Sequence, residues 1–118
     1  MNIKAPECWA SDTSAKLLRI EVSPETSLLL KYDQLIHADV DNAEKEQRLR
    51  LFFATHEVVV RGYALRRIET ALQRLELSYL AAVPASYRAA VADGQPVVRE
   101  IAVTKVEDAT TDKKRELQ

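Results

Sequence analysis

The sequence predicts an α+β fold: an antiparallel β-meander of about five strands plus a C-terminal strand, packed against one main amphipathic helix. Two features carry that prediction. From Lys16 to Arg61 the apolar residues fall on every second position, the period of a strand with one buried face. After Gly62 the spacing changes to threes and fours, the period of a helix with one apolar stripe. Composition agrees, because 118 residues with 47% apolar and 30% charged side chains suit one domain with a core of its own.

The strands follow in order. Leu18, Ile20 and Val22 face one way, with Leu17, Arg19 and Glu21 opposite, and the Ser-Pro pair at 23–24 supplies a turn. Leu28, Leu30 and Tyr32 alternate with Leu29 and Lys31 until Asp33 and Gln34 break the run. Ile36, Ala38 and Val40 alternate with Leu35, His37 and Asp39, before a polar loop at 41–46. Leu49, Leu51 and Phe53 oppose Arg48, Arg50 and Phe52; finally Val58 and Val60 oppose Glu57, Val59 and Arg61. Connectors this short make consecutive strands pair antiparallel.

Leu65, Ile68, Ala71, Leu72 and Leu75 form the apolar stripe of a helix over 63–77, which is expected to roof the strands' Leu/Ile/Val face. Burying its large aliphatics contributes about 1.5–3 kcal/mol each. Residues 78–83 read either as the helix end or as a short strand. Pro84 followed by Gly94 brackets a second short helix. Residues 97–106 read as the last strand, with Val97, Ile101 and Val103 on one face. This order resembles small half-open barrels capped by a helix, such as pleckstrin-homology-like domains. The resemblance is architectural, rests on no motif and implies no function. The division is a flexible arm at 1–14, one domain at 15–107 and a charged flexible tail at 108–118, with Trp9 placed to pin the arm.

Several function classes drop out. A net charge of −1 excludes a polycation, and Gly62 and Gly94, the only glycines, exclude the P-loop and the dinucleotide fingerprint. Cys8 with two histidines makes a poor ligand set, so no metal and no cofactor are expected. The start lacks a secretory apolar stretch and no run could span a bilayer, so the expectation is a cytoplasmic protein without membrane contact. His37 and Asp39 share a strand face but stand ~6.5–7 Å apart by rise alone. No nucleophile accompanies them, and no catalytic residue is expected.

Two patterns point to binding. The first is a row of apolar residues on the face away from the helix: Leu17, Leu29, Leu35, Phe52 and Val59. A tight hairpin around Thr55–His56 puts Phe53 against Val58 and Leu51 against Val60. Phe52 then meets Val59 on one side and His37 on the other. A sheet with one wet face does not carry such a row uncovered. The C-terminal segment or the Trp9 arm folds over it, or another chain does. Phe52, Val59, His37 and Leu29 are therefore the candidate surface for a protein partner or a second copy in a homo-oligomer.

The second pattern is six arginines between Arg48 and Leu75 (48, 50, 61, 66, 67 and 74) against two acids, Glu57 and Glu69. The same hairpin sets Arg50 opposite Arg61, which with Arg66 forms a candidate anion or nucleic-acid patch. Pairing Ala38 with Leu51 in the neighbouring ladder offers an internal answer. It sets Asp39 beside Arg50 and Asp41 beside Arg48, neutralising the patch.

Overall fold

A computed structural model describes residues 5–42 and 45–106. Its strands are β1 (Trp9–Ser11), β2 (Leu17–Ser23), β3 (Thr26–Lys31), β4 (Leu35–Asp41), β5 (Gln47–Phe53), β6 (His56–Tyr63), β7 (Leu77–Leu80) and β8 (Val97–Lys105). One α-helix, α1 (Arg66–Gln73), joins β6 to β7. The fold is α+β and mostly antiparallel, as expected, but among the described residues the strands form two four-stranded sheets and no closed barrel. Their orders are β1-β7-β2-β3 and β4-β5-β6-β8.

The single meander therefore divides. After β3 a 3₁₀ turn at Tyr32–Gln34 carries the chain from an edge of the first sheet to an edge of the second. The Tyr32 hydroxyl fixes this corner by donating to the carbonyl of Leu77 in β7. The two sheets bury their apolar faces in one cluster. Leu18, Ile20, Leu30, Leu77 and Leu80 come from the first sheet, and Leu49, Leu51, Phe53, Val58, Val60 and Val98 from the second. The sheets thus cover each other, and α1 adds Ile68, Ala71 and Leu72 rather than forming the whole roof.

The helix is shorter than 63–77. Tyr63 continues β6, and the C-terminus closes at Leu75, whose φ is +58°. There Leu75 N–H donates to Leu72 O and Glu76 N–H to Ala71 O, the paired bonds of a left-handed helix stop usually occupied by glycine. Leu75 is consequently 51% exposed instead of continuing the stripe. Residues 77–80 are a strand, and β7 runs parallel to β2 with Ile20 beside Leu80. The second helix is a 3₁₀ segment, Ala85–Ala90.

Three facing assignments change. A bulge between Leu35 and His37 turns Leu35 toward the core and leaves Ile36 68% exposed. Val22 is also exposed, at the irregular end of β2. A further bulge at Arg99 on β8 makes Val98, not Val97, the buried residue beside Ile101 and Val103. Opposite it Gly62 is required, because a Cβ there would strike the Val97 carbonyl. The stretch read as a loose arm contributes β1, paired with β7 through Trp9–Leu80. Cys8 beside it is buried, with its thiol donating to Pro96 O at 3.3 Å. The tail at 108–118 lies outside the described residues. Among the described residues, no helix is long and apolar enough to cross a membrane.

Candidate interaction face

The outer side of the second sheet is built by three aligned rows. β4 pairs with β5 as Ala38–Leu51, Asp39–Arg50 and Asp41–Arg48, the register expected from the acidic and basic runs. The β5–β6 hairpin differs by one residue at its turn. Its loop is Ala54–Thr55, so Leu51 faces Val58 and Arg50 faces Val59. Segments outside the hairpin hold that position: Ala54 N–H donates to Gln34 O at 2.8 Å, and Val106 N–H donates to Thr55 O at 2.9 Å. His56, expected in the turn, opens β6 instead, and its Nδ1 lies 2.8 Å from Thr55 Oγ1. The inward set is unchanged by the shift, but every outward partner moves by one row.

With β8 added, the first row is His37–Phe52–Glu57–Thr104. The second is Asp39–Arg50–Val59–Ala102, and the third Asp41–Arg48–Arg61–Glu100. None of these twelve side chains is buried. Among the described residues, the C-terminal segment up to 106 enters the sheet as its edge strand rather than folding over the face. Trp9 does not cover it either, because it belongs to the first sheet.

At the head of the face, His37 and Phe52 stack with ring centroids 4.3 Å apart and planes 19° from parallel. The Arg50 guanidinium carbon lies 5.7 Å from the Phe52 ring centre, a cation–π geometry. Phe52 faces Glu57 rather than Val59, which instead sits diagonally across from it beside Arg50. Leu29 does not join this group. It pairs with Arg19 on the outer side of the first sheet, 50% exposed and near Leu17. The expected interaction surface thus resolves into Phe52, His37 and Val59 on one sheet and Leu29 on the other.

The arginines resolve similarly. Arg50 donates twice to Asp39, at 2.7 and 2.9 Å, and this bond and charge raise its already high pKa. Arg48 bonds Asp41 at 3.1 Å. Arg99, at the β8 bulge, bonds Glu46, holding that carboxyl below the usual range. Arg61 faces Arg48 and Glu100, so the like-charge opposition is Arg48–Arg61 rather than Arg50–Arg61. A polar pit of ≈ 300 Å³ opens there among Asp41, Glu46, Arg48 and Arg61. Arg66 is elsewhere, on α1, in a groove with Trp9, Arg67, Thr70 and Arg74.

The sequence reading missed Arg99 and Glu100 as members of this face. The alternation of 97–106 marks Glu100 as outward but puts Arg99 with the inward set; the bulge frees Arg99, and the neighbour relation of β8 to β6 places both. Among the described residues, no group of three or more His, Cys, Asp or Glu side chains is arranged to hold a metal ion. No protein-family model, curated protein or solved structure matches the chain.

Proposed function

We propose that the chain is a small non-enzymatic binding domain that docks a protein surface on the outer face of the β4-β5-β6-β8 sheet. The observation that carries this reading is the Phe52–His37 stack, an unburied aromatic pair ringed by oriented charges. Aromatic anchors surrounded by polar groups dominate protein interfaces, because the ring is desolvated while the rim sets orientation. Val59 extends the apolar centre, and the Asp39–Arg50 pair supplies directional hydrogen bonds. A reducing, cytoplasmic setting fits the single buried thiol of Cys8.

The test is Phe52→Glu compared with the unaltered chain, by light scattering and by affinity capture. Association lost with an unchanged thermal midpoint supports the reading. Association that survives the substitution overturns it.

A second reading, binding of an anion or nucleic acid, is favoured by the opposed Arg48 and Arg61 side chains. It is opposed by the carboxylates of Asp39, Asp41 and Glu46 already bound to neighbouring arginines. A labelled oligonucleotide decides it: phosphate binding weakens steeply between about 50 and 200 mM salt. Equal and negligible binding at both removes it.

A further inference from the structure

Arg48, Arg50 and Arg99, on the second sheet, each bond a carboxylate of a neighbouring strand or loop. The arginines along α1 are different. Arg66, Arg67 and Arg74 are exposed and form no ion pair among the described residues. Arg67 donates to Gln95 Oε1 at 3.1 Å, a neutral acceptor that leaves its charge uncompensated. Arg66 and Arg67 also stand in the first turn of the helix, where the dipole favours anions over cations. Glu69, in the same turn, pairs with neither. Helix stability therefore does not account for their placement.

The three arginines line one groove of ≈ 370 Å³ between α1 and the edge strand β1. Arg66, Thr70 and Arg74 follow at intervals of four residues, a stripe about 12 Å long. The strand wall supplies Trp9 and Ser11. Glu76 is the one acidic residue in the lining, so three guanidinium groups meet a single carboxylate. Trp9 is half-buried, yet among the described residues its ring stacks on no aromatic or cation, and its indole N–H has no hydrogen-bond partner. An indole in that position ordinarily has such a partner.

These parts suit one ligand chemistry. Guanidinium forks match phosphate oxygens in pairs. The hydroxyls of Ser11 and Thr70 are further donors, and an open indole receives the flat face of a nucleobase. A simple anion would leave Trp9 unused, and an uncharged aromatic would leave the arginines unused.

We infer that this groove is a binding site for a nucleoside phosphate, with the base on Trp9 and the phosphates on Arg66, Arg67 and Arg74. The inference is independent of the docking face, since Phe52 and Arg50 belong to the other sheet. The same chemical unit occurs free and within single-stranded nucleic acid.

Trp9 is the only tryptophan, so its fluorescence reports on the site directly. The whole chain is titrated with adenosine triphosphate, with a single-stranded oligonucleotide and with inorganic tripolyphosphate. Quenching by either of the first two, with affinity at least about tenfold weaker in Arg66→Gln and Arg74→Gln, supports the inference. The tighter of the two ligands identifies the source. Both arginines are exposed, so these variants keep the fold, which circular dichroism checks. Trp9→Leu, followed by calorimetry, weakens nucleotide binding at least about fivefold and leaves tripolyphosphate binding unchanged; if it does not fold, the arginine variants and the tripolyphosphate comparison carry the test.

Three results overturn the inference. The first is no quenching by either nucleotide ligand at about 1 mM. The second is tripolyphosphate binding as tightly as they do, since the base then contributes nothing. The third is binding lost in Arg61→Gln and kept in Arg66→Gln, which puts the ligand in the pit of the second sheet instead.

Discussion

The two sheets share one core but are assembled and finished differently. The second takes β4, β5 and β6 consecutively from the chain and adds β8 at its edge. The first joins β2 and β3 to β7 and β1, segments far apart in sequence, and includes the parallel β2–β7 pair. Their outer faces differ as well. The first sheet shows Leu17 and Leu29 beside Arg19, and its polar fixings are tyrosine hydroxyls: Tyr79 donates to Glu21, and Tyr32 to Leu77 O. The second shows rows of carboxylates and guanidinium groups. A discontinuous sheet is locked by a few hydrogen bonds at its joints, whereas a contiguous one leaves its outer surface free to carry a charge pattern.

The largest effect expected from breaking this arrangement is at Gly62, in the second sheet. Gly62→Ala drives a methyl group into the Val97 backbone, which no rotamer change relieves. Chemical denaturation is expected to show a loss of at least about 3 kcal/mol, with β8 detaching first in hydrogen exchange. A loss below 1 kcal/mol, roughly that of an exposed substitution, would mean that the bulge adapts.

Next is the joint of the first sheet. Tyr32→Phe removes the bond to Leu77 O and is expected to cost about 1–2 kcal/mol. Burial pushes the Tyr32 phenol up to about 12, and the Tyr79 phenol reaches about 12 chiefly through its bond to Glu21. Between pH 10, the ordinary tyrosine value, and about 12 the folded chain then holds more protons than the unfolded chain. Stability is complete below that window and falls as pH rises through it. Urea midpoints measured across the window should decline, less steeply in Tyr32→Phe.

Leu75→Gly, at the helix stop between the sheets, is expected to stabilise by about 1 kcal/mol, since glycine adopts a φ of +58° without strain. A lower thermal midpoint would show that the Leu75 side chain matters more than its backbone. The smallest effect belongs to Arg50→Gln. Both Arg50 and Asp39 are more than a third exposed, so the denaturation midpoint should barely move. The same variant should reduce association through the second face. Together these outcomes separate what holds the sheets together from what their surfaces recognise.

Legibility followed the same division. The pairing of Asp39 with Arg50 and Asp41 with Arg48 was readable, because a short loop fixes the neighbour and complementary charges fix the register. The β5–β6 turn was misplaced by one residue. Nothing in the Ala54–Thr55–His56 segment marks the corner, which is held by bonds from Gln34 and Val106 outside the hairpin. Leu29 was placed with Phe52 because both sit on outward positions of alternating strands. Alternation tells which residues share a side of one strand, not which sheet the strand enters.

The amino-acid order by itself determined the strand positions between 17 and 61, most of their inward residues, and an amphipathic helix whose apolar stripe contains Ile68, Ala71 and Leu72. These depend on periods of two and 3.6, which adjacent residues encode. Only the tertiary structure decided that the strands divide into two sheets, that β7 lies between β1 and β2, and that Glu100 completes the third row. Those choices are set by which distant segments bury the most apolar surface together while satisfying each other's backbone bonds, and no local spacing records that competition.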